Sequence, residues 1–174
     1  MNDNDEARHQ ISTALLSYTR GIDRLSAQDV LDAFHPGALL NGYGSAEAMP
    51  VEAFADYAVQ ALGERYVATQ HRLSNTRIEF VDGAQRAVVE TYVEASHAEA
   101  PAEDGSQRLH TFAGRYIDRC TPGDDGVWRI AERTLRNDWS KVEVIAEPMR
   151  GAYVASGRGG APDPLNDELH PETS

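Results

Sequence analysis

The hydrophobic period of this chain changes once along its length. From residue 6 to about residue 62, apolar side chains recur at the 3.6-residue spacing of helices; from 72 to 140 they alternate every second residue, as in strands. Helices that all precede the long strands cannot build a βαβ sheet. The order predicts an α+β domain in which three helices pack on one curved sheet.

The first helix is read over residues 6–21, with Ile11, Ala14, Leu15, Tyr18 and Ile22 on one face and Gly21 favouring its end. Ser26 and Asp29 have capping-box spacing for a short second helix carrying Val30, Leu31 and Phe34. That helix is expected to stop at His35, since Pro36 disfavours helical backbone before it. A short strand, 38–40, leads through Gly42-Tyr43-Gly44 to a third helix with Pro50 near its first turn. Its apolar face comprises Val51, Phe54, Tyr57, Ala58, Ala61 and Leu62.

Four long strands then read as a meander: 72–81, the Asp82-Gly83 turn, 85–97, 107–120 and, after TPGDDG, 127–140. Strands this long exceed the usual ~5–6 residues and imply strong twist. Gly114 marks a bulge or bend. Closed on one side by helices, such a mixed or antiparallel sheet forms a cone-shaped half-barrel with a cavity inside. Residues 1–150 are assigned to this domain, and the Gly-, Pro- and acid-rich stretch 151–174 to a tail that is mobile or draped over a neighbouring subunit.

The net charge of −12 disfavours nucleic acid and anionic membrane surfaces as partners. Cys120 is the single cysteine, so no internal disulfide and no thiolate metal site can form. The N-terminal MNDNDEARHQ has neither a basic nor an apolar signal region, and no apolar run approaches ~18 residues. A cytoplasmic protein is expected. There is no Gly-rich phosphate loop, no GxSxG and no histidine pair at metal-ligand spacing, so neither cofactor nor metal is expected.

Two titratable residues in separate patches carry the chemistry: Asp23 in YTRGID, just after the first helix, and His71 in ATQHRLSN, at the entrance of the first long strand. A carboxylate that fixes one tautomer of an imidazole makes a general base if the fold brings the two together. Each has a blander reading, Asp23 as a cap between two helices and His71 as a surface residue. Arg133 shares a strand face with Ala131, Leu135 and Asn137; it either serves the pocket or bridges to Glu90 or Glu94. Tyr18 is core or donates its hydroxyl into the pocket. Strand parity and loop position add Tyr43, Tyr92 and Glu94 to the pocket candidates, and Leu135 and Asn137, on the face of Arg133, join them as substrate-binding candidates. His35 is read as structural, His97 and His110 as facing out of the cone, and Thr91, Val93 and Tyr116 as an outer oligomer face. Trp139 is a core or subunit-interface candidate.

The fragments YTRGIDRLSAQDVLDAFHPGA, TQHRLSN, ETYVEASH, GRYIDR and GVWRIAERTLRNDW, over residues 6–142, resemble the SnoaL-like branch of the NTF2-like superfamily of cone-shaped α+β barrels. Within it the pattern is most similar to the group of hexachlorocyclohexane dehydrochlorinase and the bile acid 7α-dehydratases. The resemblance implies a His–Asp base of His71 and Asp23, a pocket arginine at Arg133 and a helix-borne Tyr18 where dehydratases carry tyrosine. It further implies a cofactor-independent, dehydratase-type lyase acting on a small to medium hydrophobic alicyclic or steroid-like substrate, and assembly as a homo-oligomer, dimer or trimer. A polyketide cyclase or ketosteroid-type isomerase, and a non-catalytic small-molecule binder, are the alternatives, because one fold hosts many activities.

Overall fold

The computed structural model describes residues 3–44, 46–147 and 158–160. Its elements run α1 (Asp3–Arg24), α2 (Ala27–Asp32), β1 (Phe34–Asn41), β2 (Met49–Pro50), α3 (Val51–Arg65), β3 (Tyr66–Val81), β4 (Arg86–Glu99), β5 (Gln107–Pro122) and β6 (Trp128–Ile145), with a single turn at Arg158–Gly160. Six strands form one open sheet in the order β2-β1-β6-β5-β4-β3. The meander β3–β6 is antiparallel throughout, and β1 joins β6 in parallel, so the sheet is mixed. Three helices cover one face. The α+β half-cone expected from the change of period is the fold.

All five α1 residues at helical spacing, Ile11, Ala14, Leu15, Tyr18 and Ile22, are buried in the main core cluster. Gly21 does not end α1, which continues to Arg24 and stops at Leu25, in left-handed backbone at φ 59°. Close approach explains the glycine instead: a Cβ at Gly21 would sit 2.7 Å from the backbone nitrogen of Val30 in α2. Ser26 caps α2 as expected, its Oγ accepting from Asp29 N–H at 3.2 Å. That helix ends at Asp32 rather than His35, because Phe34 already pairs with Ile130 as the start of β1.

β3 begins at Tyr66, directly after α3, so His71 lies well inside a strand and not at its entrance. Gly114 lies at a register shift where Ala113 pairs with Trp139 and Gly114 with Asn137, leaving Asp138 as the extra residue of a bulge in β6. A Cβ at 114 would meet the Arg136 carbonyl oxygen at 2.0 Å. This is the bend anticipated from the sequence.

Behind the helices lies a fully buried ion pair. Arg133 on β6 donates through Nε and Nη2 to the two carboxylate oxygens of Asp118 on β5, both at 2.7 Å. Its guanidinium is 4.2 Å from the Tyr18 ring centroid and 4.1 Å from that of Tyr116. The expected partners, Glu90 and Glu94, instead pair on the opposite sheet face with Arg115 and Arg72. Breaking a buried pair strands a charge, whereas replacing both partners with apolar groups removes the problem. Asp118→Asn should therefore lower stability by about 3–5 kcal/mol in urea unfolding, with Asp118→Leu/Arg133→Met costing much less.

Candidate functional site

The last turn of α1 and the middle of β3 meet through one carboxylate. Asp23 Oδ2 accepts from the backbone N–H of His71 at 2.8 Å, and Oδ1 lies 2.8 Å from His71 Nδ1. The first bond fixes where the strand sits; the second fixes the ring. An ionised carboxylate can only accept, so the proton belongs on Nδ1 and the lone pair on Nε2. Both side chains are nearly buried, 15% exposed for Asp23 and 9% for His71.

His71 opens onto a cavity of about 620 Å³ between α3 and the sheet, a size suited to a small organic molecule. Aromatic and aliphatic side chains such as Phe54, Ala58, Leu62 and Phe112 make up most of its wall. The third helix thus splits its apolar stripe: Val51, Phe54, Ala55 and Ala58 are buried, while Tyr57 borders the cavity at 60% exposure. Tyr18 and Tyr43 line the cavity with hydroxyl oxygens 3.1 Å apart. Burial raises the pKa of both phenols, so they remain neutral hydrogen-bond donors.

The other candidates from the sequence divide cleanly. Leu135 borders the cavity. Arg133 does not; it is wholly buried behind the rings of Tyr18 and Tyr116. Tyr92, 41% exposed, and Glu94, ion-paired with Arg72, lie on the far face of the sheet. Asn137 is exposed and donates to Ser140 Oγ at 3.4 Å. The parity of β4 is the reverse of the expected one: Thr91, Val93 and Ala95 point inward, and Tyr116 opposite Thr91 is 3% exposed. A one-residue error in a period-2 pattern moves every side chain to the other face. Thr91, Val93 and Tyr116 are therefore core residues, not an outer contact surface.

The same inversion brings in two histidines expected to face outward. His97 on β4 and His110 on β5 sit directly opposite each other and line the cavity. The His97 ring stands edge-on to His71 with centroids 5.3 Å apart. Burial, reinforced by neighbouring His71, lowers the His97 pKa from 6.5 to about 4. His35, read as structural, does bond within the sheet, its Nε2 2.9 Å from the Thr121 carbonyl oxygen. Cys120 is buried, and burial raises its thiol pKa. Among the described residues, no group of three or more His, Cys, Asp or Glu side chains could hold a metal ion, and no helix is long and apolar enough to cross a membrane.

Arg158 was missed altogether. Its guanidinium donates to the carbonyls of Asp23 and Leu62 (both 3.0 Å) and to Thr69 Oγ1 (2.8 Å), tying the ends of α1 and α3 to β3 beside the Asp23–His71 pair. This part of the tail packs on its own chain, while residues 148–157 and 161–174 lie outside the described ones. An arginine in a Gly-rich stretch carries no periodic signal that could have pointed to it.

The family model for the SnoaL-like domain matches residues 4–134, and the chain belongs to that family. Similar solved structures include a hexachlorocyclohexane dehydrochlorinase of type 2, at 19% identity and TM-score 0.72, covering 87% of this chain and 98% of that one. A provisionally assigned scytalone dehydratase from Novosphingobium aromaticivorans matches at 20% identity and TM-score 0.68, with 87% and 98% coverage. A protein of unknown function with a cystatin-like fold from Nostoc punctiforme matches at 16% identity and TM-score 0.59, with 75% and 90% coverage. These likenesses establish the fold. No curated protein matches the sequence.

Two measurements follow from the site's packing. Arg158→Ala removes charge-assisted bonds to three elements and should cost about 2 kcal/mol in chemical denaturation, with Arg158→Lys recovering part of it. For His97, the unfolded chain takes up a proton near pH 6.5 whereas the folded protein does so only near 4. The unfolded state then binds more protons across that window, so His97 makes stability fall as pH drops from about 6.5 to 4. His97→Asn should flatten that part of the stability–pH curve relative to the wild type.

Proposed function

We propose that this protein is a cofactor-independent lyase that dehydrates a small hydrophobic alicyclic β-hydroxy ketone, with His71 as the base. The observation that carries the reading is the double commitment of Asp23 to His71 at the wall of an aromatic cavity. His71 Nε2 takes the proton from the carbon beside the substrate carbonyl, and Asp23 stabilises the imidazolium that forms. General-base assistance of this kind typically contributes ~10²–10⁴-fold. In this reading the neutral hydroxyls of Tyr18 and Tyr43, 3.1 Å apart on the cavity wall, hydrogen-bond the carbonyl oxygen as it becomes an enolate. Arg133 acts from behind, positioning the Tyr18 and Tyr116 rings rather than touching substrate. The mostly apolar wall and the volume of about 620 Å³ favour a fused two-ring to steroid-sized skeleton.

The direct test uses 3-hydroxy-1-tetralone, whose loss of water yields 1-naphthol and a strong absorbance change. The wild type should accelerate this reaction, and a folded His71→Asn variant should lose at least ~10²-fold of kcat. Unchanged turnover in that variant would overturn the reading. A product equal in mass to the substrate would point instead to an isomerase or cyclase using the same base.

A further inference from the structure

A second imidazole–carboxylate pair faces the same cavity. His110 lines the wall from β5, and its Nε2 is 2.7 Å from Glu99 Oε1 on β4. Glu99 is held in turn by Arg65 from the end of α3, at 3.4 Å. The His110 hydrogen bond lowers the Glu99 pKa below the usual carboxylate range, so Glu99 is ionised. The Tyr66 ring braces this wall, 5.0 Å from the His97 ring and 5.5 Å from that of His110. Three imidazoles therefore reach into one cavity from β3, β4 and β5, and the outer two each lie against a carboxylate.

The two carboxylate-bound rings are not equivalent. His71 uses Nδ1 on its carboxylate and keeps Nε2 for the cavity; His110 uses Nε2 and keeps Nδ1, which no hydrogen bond among the described residues takes up. Two strand spacings and an offset of two residues separate their backbones, since His71 pairs with Ala95 and His110 with His97; at roughly 12 Å, side chains converging from both sides can bracket a bicyclic molecule. His97, between them, is held neutral by burial and so is not a cationic proton donor near pH 7. An elimination needs both a group that accepts the carbon-bound proton and one that donates to the departing oxygen, since hydroxide is a poor leaving group.

We propose that His110 is a catalytic residue, the proton donor to the leaving hydroxyl, and that Glu99 is its positioning residue. This rests on the reading of His71 as the base. His71 Nε2 takes the α-proton, and the C–H electron pair becomes the new double bond. The C–O pair leaves with oxygen, which receives the proton from His110 Nδ1 and departs as water. His71 is left as imidazolium and His110 neutral; exchange with solvent restores both. The charged and titratable groups near His110 are Glu99 and His97 on β4, Arg65 on α3, Tyr66 on β3, Lys141 on β6 and Arg108 on its own strand. Of these, Glu99 is the anion in direct contact, its Oε1 2.7 Å from His110 Nε2.

The test compares 3-hydroxy-1-tetralone with its 3-acetoxy ester, since acetate leaves without protonation. His110→Gln should lose at least ~10²-fold of kcat on the hydroxy ketone and stay within about threefold on the ester. Glu99→Gln should show a smaller loss on the hydroxy ketone alone, with the alkaline limb of its kcat–pH profile moved to lower pH. His71→Asn should lose both reactions. Retained turnover of the ester shows that a variant's site is folded. Equal losses on both probes, or no loss on either, in His110→Gln would overturn the donor assignment and leave His71 as base. A wild type that converts neither probe overturns the base assignment and the donor assignment with it.

Discussion

Both oxygens of one carboxylate are spent on one residue. Asp23 holds the backbone of His71 with one and its ring with the other, so a single side chain docks the helix layer onto the sheet and orients an imidazole. A carboxylate in the last turn of a helix is poorly placed for the helix dipole, which favours cations there. Its location is understandable from tertiary contacts: it reaches β3 only because α1 stops at Leu25 and α2 folds back against Gly21. Arg158 then ties the Asp23 carbonyl to the ends of α3 and β3 from outside.

The rest of the cavity follows from how the sheet is filled. On its inner face, a buried Asp118–Arg133 pair supports the rings of Tyr18 and Tyr116. A guanidinium between aromatic faces gains cation–π attraction while its carboxylate partner satisfies two of its nitrogens. Such a base is rigid and polar beneath, aromatic above. Toward the other end the core gives way to open space, and the inner positions of β3, β4 and β5 become His71, His97 and His110. Titratable groups therefore gather along the wall of the cavity between α3 and the sheet.

Much of this could be read from residues alone. The single change of period predicted helices before meander strands, and Ile11, Leu15 and Tyr18 fall on the buried face that their spacing indicates. Asp23 and His71 stand out by residue type and position in the sequence, and Tyr43 and Leu135 border the cavity as expected. What failed was parity. In β4 both alternating sets contain apolar residues, Val89 and Val93 on one side, Val88 and Tyr92 on the other, and nothing local says which set meets the helices. The wrong choice sent Tyr92 and Glu94 inward and His97 outward. The partner of Arg133 was missed for a related reason, because pairing across β5 depends on register set by a second bulge, between Arg119 and Cys120.

The central claim is that Asp23 fixes the His71 ring with its lone pair on Nε2, facing the cavity. Long-range proton–nitrogen correlation NMR on uniformly ¹⁵N-labelled protein at neutral pH reads the tautomer directly. The account predicts a protonated Nδ1 and an unprotonated Nε2 for His71, with that preference lost in Asp23→Ala. A His71 ring protonated on Nε2, or one averaging between tautomers in the wild type, would contradict it.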